Sequence, residues 1–254
     1  MLDLHSHVLP GLDDGAADMA EAVAMCRLAL DDGTKVLAAT PHWYPSRQPP
    51  TAQDIALAVQ GLRDELAAQG LPLDLVAGAE VALDPDLPRL ARAGVLPTLG
   101  GGPYFLLECP PHTSPRLLPD LIYSLRLAGL RPILAHAERT WEGGRDWGWL
   151  SGLVDQGCLV QVTAMSFTDR LGSGAKKAAE ALLTQGLVHL VASDAHSASW
   201  RPPGLSEASA MLERLAGPGA AEALLCLAPA AVLAGEEPPP VPLPTRRRMF
   251  FWRK

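Results

Sequence analysis

What this chain of 254 residues lacks narrows it first. It has no run of eighteen apolar residues, which leaves no ordinary membrane-spanning helix to expect. Its opening residues show no basic segment followed by an apolar one, so export by a signal peptide is not expected. Cysteine is sparse: Cys26, Cys109, Cys158 and Cys226 lie far apart with no Cys-x-x-Cys pair, which points to free thiols in a reducing cytoplasm. A Gly-rich dinucleotide fingerprint, a P-loop and a Gly-x-Ser-x-Gly elbow are all missing. Charged residues are 19% of the chain against 48% hydrophobic, the pattern of a soluble globular protein. The net charge of −7 argues against broad affinity for nucleic acid. Positive charge is concentrated at one end, where Arg246, Arg247, Arg248, Arg253 and Lys254 follow the proline-rich stretch EEPPPVPLP, so the body is more acidic than the total suggests.

What is present is strand followed by helix, repeated. The first apolar run carries Asp3, His5 and His7 and leads into a turn with Asp13 and Asp14. Asp18 and Glu21 have capping-box spacing and open a helix, with Met19, Val23, Cys26 and Leu30 inward, that stops at Gly33. TKVLAAT reads as a buried strand reaching Pro41-His42, and Thr51 with Asp54 opens a second helix closed by Gly70. LDLVAGAE is a strand ending at Glu80, and a short helix near Asp84 to Ala93 follows. GGGPYFLLE ends at Glu108; the chain is then helical from Pro115 to Gly129, and RPILAHAER ends at His136. WGWLSGLVDQG is helical, CLVQVT is a strand, and Lys176 to Gln185 is helical. LVHLVASDAH ends at Asp194 and His196, and helical patterns cover Ser206 to Leu215 and Ala220 to Leu227. Strand ends therefore recur about every thirty residues, as βα units do. Such units form parallel sheets, and seven of them without a dinucleotide fingerprint favour a closed barrel over an open doubly wound sheet.

Laid on that map, the metal-competent side chains are not scattered. His5 and His7, His42, Glu80, Glu108, His136, and Asp194 with His196 all fall at or just past the C-terminal ends of expected strands, six of the seven. In a parallel barrel those ends ring one mouth, where active sites form. Taken singly, each has a bland explanation: a loop histidine, a glutamate ending a strand in water, a satisfied core histidine. Their shared placement is what the bland explanations leave out. Strand alternation also puts Asp3, His5 and His7 on one face. His112 and His189 are expected to be structural. Eight such ligands plus Asp14 exceed what one ion needs, and carboxylates bridge metals readily, so two or three ions are expected. Imidazole and carboxylate without thiolate suit manganese, iron or zinc. Cys109 should point away from Glu108 and take no part.

Together DLHSHVLPGLDDG, ATPHW, GAE at 78–80, LLE at 106–108, HAER and SDAH resemble the polymerase-and-histidinol-phosphatase (PHP) superfamily. LPGLDDG, HAER and the later WRPP are most similar to its bacterial capsule-type, metal-dependent protein-tyrosine phosphatases. The resemblance implies a distorted (β/α)7 barrel over residues 1–235, followed by a linker and basic-aromatic tail at 236–254. It also implies a trinuclear site, with one metal on His5, His7, Glu80 and Asp194, a second on Glu80, Glu108 and His136, and a third on Asp14, His42 and His196. Manganese is the first expectation for those ions, with iron or zinc as alternatives. Arg139 and Arg201 would grip phosphate oxygens, and Asp3 would orient a ligand histidine through its other ring nitrogen.

The implied activity is hydrolysis of protein phosphotyrosine by a metal-bound hydroxide, in the cytoplasm. The expected partner is a bacterial tyrosine kinase of exopolysaccharide or capsule assembly. A cysteine-based phosphatase needs Cys-x5-Arg, and the residues six after the four cysteines are Asp32, Pro115, Ala164 and Val232. The alternatives are a small-molecule phosphomonoesterase such as a histidinol-phosphate enzyme, and a non-catalytic metal-binding module. This chain departs from many relatives at Trp43, where a second histidine is usual, and reads His136-Ala137-Glu138-Arg139 for the more common His-Pro-Glu-Arg. Trp43, Tyr44, Phe167 and Trp200 follow strand ends and could stack on a phenyl ring. The cations and aromatics of RRRMFFWRK suit contact with an anionic membrane surface.

Overall fold

The local signals at the first two helices work as capping chemistry requires. The computed structural model describes residues 1–110, 114–140 and 147–242, so His112 and the tail from 246 onward lie outside the described residues. Helix α1 (Met19–Asp31) begins with Asp18 accepting the N–H of Glu21 at 2.9 Å, while Glu21 accepts that of Ala17 at 3.1 Å. It buries Ala22, Val23, Met25, Cys26 and Ala29; Met19 and Leu30, at its ends, are half-buried. Helix α2 (Ala52–Ala68) opens on a reciprocal box: Thr51 N–H to Asp54 at 2.8 Å and Asp54 N–H to the Thr51 hydroxyl at 3.1 Å. These contacts satisfy donors that a helix leaves unpaired at its start.

Among the described residues all strand pairs are parallel, and the expected seven strands appear as nine short ones because two are broken. β1 (Leu2–Asp3), β2 (Val36–Ala39) and β4 (Asp74–Ala77) form one sheet in the order β1-β2-β4 once β3 (His42–Trp43) is assigned elsewhere. β3 joins β5 (Glu80–Ala82), β6 (Tyr104–Glu108), β7 (Arg131–Leu134), β8 (Leu159–Thr163) and β9 (Leu190–Ala192) in a second sheet. The break between β2 and β3 falls at Pro41, which has no N–H for the ladder. The break between β4 and β5 falls at Gly78, where a methyl group would come within 2.7 Å of the Leu99 side chain. Glu80 therefore starts a new strand, pairing with Leu106, instead of ending the old one as expected. The last strand returns to the first through the parallel bridge Ser6–Ala195, with Asp194 N–H to His5 O at 2.9 Å and His7 N–H to Ala195 O at 2.8 Å. The curled sheet is thus a distorted barrel.

Intervening helices cover the outside: α3 (Leu87–Arg92), α4 (Leu118–Leu127), α5 (Ala137–Thr140), α6 (Gly148–Asp155), α7 (Ser173–Thr184) and α8 (Ser206–Ala216). The main core lies between them and the strands, around Leu37, Phe105, Leu107, Leu134, Val160 and Val191. A separate cluster of Leu4, Ala38, Leu106, Ile133, Leu159 and Leu190 fills the space the strands enclose. Ala228 and Val232 pack on that cluster from the final helical run, which is longer than its sequence pattern suggests. It comprises α9 (Ala220–Glu222), a π-turn at Ala223–Leu227 and α10 (Ala228–Leu233). Pro229 cannot donate to the carbonyl four residues back, and the widened turn ahead of it absorbs the gap. No helix of the described residues is long and apolar enough to cross a membrane.

Candidate metal centre

The strand ends carry the expected residues to one place. His5 Nε2 and His7 Nε2 are 3.2 Å apart. Each is 3.4 Å from Glu80 Oε2, and they lie 3.4 and 3.5 Å from Asp194 Oδ1. His136 Nε2 is 2.6 Å from the other Glu80 oxygen. His42 Nδ1 sits 3.1 Å from Glu80 Oε2 and 3.5 Å from Glu108 Oε2. Asp14 Oδ1 lies between His42 Nε2 at 3.5 Å and His196 Nε2 at 3.6 Å. Three groups of potential ligand atoms fall within 4.8 Å of one another: His5, His7 and Glu80; His42, Glu80 and Glu108; and His7, Asp14, His42 and His196. The geometry brings His42 beside Glu80 and Glu108, where the resemblance had put His136; both histidines touch Glu80.

This arrangement requires two strained backbone turns and a glycine. His136 and Asp194 have positive φ, 34° and 53°, a conformation costing about 1–3 kcal/mol for a residue with a side chain. Both sit where a strand turns its final side chain into the cleft. The loop after β1 folds back over His7, whose carbonyl accepts the N–H of Ala16 at 3.0 Å. A methyl group on Gly15 would lie 1.9 Å from that same oxygen, so only glycine fits there.

Proton bookkeeping shows that the donor set suits a cation. Gln161 Oε1 accepts the His136 N–H at 2.9 Å, which fixes it as the oxygen; His5 Nδ1, 3.1 Å away, therefore donates to it. His7 Nδ1 donates to Asp13 Oδ2 at 2.7 Å, and His196 Nδ1 to the Asp194 carbonyl at 3.0 Å. In their neutral forms His5 and His7 are thereby left with Nε2 lone pairs toward Glu80 and Asp194, and His196 with its own toward Asp14. Glu80 Oε2 and His42 Nδ1 are buried and make no hydrogen bond, although only 3.1 Å apart. Converging acceptors with nothing to accept are what a divalent ion satisfies.

The expectation for Asp3 is corrected. Its Oδ1 accepts the backbone N–H groups of His5 at 3.3 Å and Ser193 at 3.0 Å, not a ring nitrogen. β1 ends at Asp3, so strand alternation cannot be carried on to His7. The ring partners are Asp13 and Gln161, which the sequence reading passed over. A signal was available for Gln161: it is a polar residue inside an apolar strand, the one strand that brings no metal-competent residue.

Arg139 and Arg201 reach the same cleft, and both donate to Asp194 Oδ2. The cleft has a volume of about 240 Å³ and is lined by Asp14, His42, Glu80, Glu108, His136, His196 and the two arginines. Cys109 touches its wall but belongs to the core behind, where burial pushes its thiol up. A larger cavity, about 550 Å³, opens at the N-terminal ends of the strands beside His189; it holds none of the expected site residues. His189 Nδ1 accepts the Val160 N–H at 3.2 Å, in keeping with a structural role.

The family model described as capsular polysaccharide synthesis, CpsB/CapC, matches residues 1–234. This chain belongs to the CpsB/CapC family. It is 32% identical to the tyrosine-protein phosphatase YwqE of Bacillus subtilis over 214 residues, 84% of each chain. With the tyrosine-protein phosphatase CpsB of Streptococcus pneumoniae it shares 29% identity over 216 residues, 82% of this chain and 88% of that one. Among solved structures it is similar to one from the study of YwqE and CpsB, described as unique metal-dependent tyrosine phosphatases. The TM-score is 0.87 and the identity 30%, covering 97% of this chain and all of the other.

The electrostatics of this CpsB/CapC chain follow from packing so many charges in a buried cleft. Burial works against ionised Glu80 and Asp194, yet the neighbouring histidines overcome it and hold both well below the usual carboxylate range. Burial likewise opposes charge on His5 and His7, and the acids beside them raise both. His42 is pushed up to about 10 against burial by Glu108 and Glu80. His196 moves the other way, to about 4, through burial and the charges of His7 and Arg201. Asp13, despite burial, is held at about 2 by His7.

Proposed function

We propose that this chain is a metal-dependent protein-tyrosine phosphatase. The observation that carries the reading is the convergence of histidines and acids from separate segments of the barrel on one cleft that also holds two arginines. The domain would be residues 1–235, with 236–254 a linker and tail. The proposed metal ligands are His5, His7, Asp14, His42, Glu80, Glu108, His136, Asp194 and His196, enough for two or three divalent ions, manganese first and iron or zinc as alternatives. Bound there, such ions supply Lewis acidity toward a phosphoryl oxygen and a water made more acidic.

The chain's own residues do the rest. Arg139 and Arg201, already fixed on Asp194, present guanidinium N–H groups to the outer oxygens of a phosphomonoester dianion. Asp13 and Gln161 hold His7 and His5 in the tautomers that leave Nε2 lone pairs in the cleft. Backbone bonds from His136 to Gln161 and from Asp194 to the His5 carbonyl hold those two residues in their strained turns. No cysteine nucleophile is required: burial pushes Cys26 and Cys158 up to about 12, leaving them protonated thiols.

The substrate would be a phosphotyrosine protein, in particular a bacterial tyrosine kinase of exopolysaccharide or capsule synthesis, met in the cytoplasm. The test is hydrolysis of p-nitrophenyl phosphate and of a phosphotyrosine peptide before and after chelation, and again after manganese is restored, with metal analysis of each sample. His136→Ala and His42→Ala should each lower turnover by on the order of a hundredfold or more. Full activity in metal-stripped protein, or in either variant, would overturn the site. Faster turnover of histidinol phosphate than of the peptide would move the reading to the small-molecule alternative. A purified protein holding less than one equivalent of metal and hydrolysing neither substrate would leave a binding module. Liposome pelleting with and without residues 246–254 tests membrane contact by the tail.

A further inference from the structure

The four aromatic residues that follow strand ends separate into two kinds. Trp43 and Phe167 are buried in the main core, and Trp43 Nε1 donates to the Pro50 carbonyl at 2.9 Å. Tyr44 returns to the His42 side of its strand and stacks on that ring, centroids 5.4 Å apart and planes 30° off parallel. The Arg47 guanidinium lies 4.7 Å from the Tyr44 ring centroid, so the ring is braced by both neighbours. Trp200 is 67% exposed, an expensive place for an indole, with its ring 6.0 Å from that of His196.

The backbone keeps Trp200 there. His196 and Ser197 N–H groups both donate to the Arg201 carbonyl, at 2.9 and 3.2 Å, and Ser199 N–H donates to the Ser197 hydroxyl at 3.0 Å. That closed loop presents Trp200 at its tip. The His42 and His196 rings are 6.1 Å apart and both line the cleft, so each aromatic packs on a ring of the same opening.

We propose that Tyr44 and Trp200 form an aromatic clamp for the arene of an aryl phosphate, selecting phosphotyrosine over alkyl phosphates. The clamp rests on the phosphatase reading above, since it presumes a phosphate seated among the histidines and arginines. The ester oxygen carries the phenyl ring away from that seat, toward the side chains that pack on His42 and His196. There offset or edge contacts between rings are favourable at centroid distances of about 4.5–7 Å. An alkyl ester offers no such face. Because both loops are closed by hydrogen bonds, the clamp is ordered before substrate arrives.

The test uses the full chain loaded with manganese and measures calorimetric Kd values for phenylphosphonate and methylphosphonate. Trp200→Ala and Tyr44→Leu should each weaken phenylphosphonate about tenfold and leave methylphosphonate within about twofold. Trp200→Phe should restore most of the loss, and KM for a phosphotyrosine peptide should rise in Trp200→Ala with kcat retained. Equal weakening of both phosphonates, or of neither, would overturn the clamp. Separately, a wild-type protein that binds both phosphonates yet hydrolyses no phosphomonoester would sink the phosphatase reading and leave the clamp to be judged on the Kd values alone.

Discussion

Asp13→Asn should weaken metal binding at the candidate centre without touching a proposed ligand. Asp13 Oδ2 accepts His7 Nδ1–H at 2.7 Å and the His42 N–H at 2.9 Å, and Oδ1 accepts the Gly15 N–H at 3.0 Å. All three partners are donors, and asparagine has one oxygen for them. If its NH2 faces His7, the imidazole must move its own proton to Nε2, where it points into the cluster and removes a lone pair. If the NH2 faces Gly15, two N–H groups oppose each other beside a glycine that cannot shift. Loss of such an orienting partner typically costs 10–100-fold in metal affinity, about 1.4–2.7 kcal/mol. Manganese affinity by competition with a chelating dye, measured alongside p-nitrophenyl phosphate turnover, checks it. Unchanged affinity and turnover would refute the tautomer reasoning. A pH signature accompanies the change. Asp13 is held at about 2 in the fold against 3.8 ordinarily, so the metal-free protein gains stability above pH 3.8 that fades as pH falls toward 2. That component is about 2 kcal/mol and should be absent from Asp13→Asn in acid-unfolding curves.

Gly15→Ala should destabilise the β1 loop by about 2 kcal/mol or more, because its methyl would strike the His7 carbonyl at 1.9 Å; a melting temperature equal to wild type would contradict this. Phe167→Ala, at a fully buried position, should cost about 3–5 kcal/mol in urea unfolding, whereas Trp200→Ala should cost almost nothing; equal losses would mean the aromatics were sorted wrongly. His42, raised to about 10, is protonated at neutral pH in the metal-free chain and must lose that proton to bind a cation. Metal loading at pH 7 should therefore release protons, and affinity should rise with pH; calorimetry in buffers of differing ionisation enthalpy would detect this, and no buffer dependence would count against it.

How much could be read from the chain is clearest at particular residues. Capping chemistry is local, so Asp18 and the Thr51–Asp54 box fixed two helix starts without any tertiary information. The strand-to-helix period likewise announced a parallel sheet, and the residue types at strand ends announced a polar cluster at one mouth. The end of LDLVAGAE was illegible, because hydrophobic alternation does not record which neighbour a strand pairs with; Glu80 switches sheets at Gly78. The last helix ran past its apparent end because a π-turn before Pro229 depends on packing against the barrel floor. The ring contact that the resemblance implies for Asp3 gives way to backbone bonds to His5 and Ser193, and the shared face expected from alternation stops with the two-residue strand.

By itself, then, the sequence determined the fold class and the chemical identity of the site, since periodicity and residue type are properties of the chain. Only the tertiary structure decided which residues serve the proposed ligands: that Asp13 and Gln161 bond to His7 and His5, that both arginines meet on Asp194, and that Tyr44 and Trp200 stay accessible beside His42 and His196 while Trp43 and Phe167 are buried. Hydrogen-bond partners and burial are set by distances between segments as much as 190 residues apart, as between Asp3 and Ser193, and no local pattern encodes those distances.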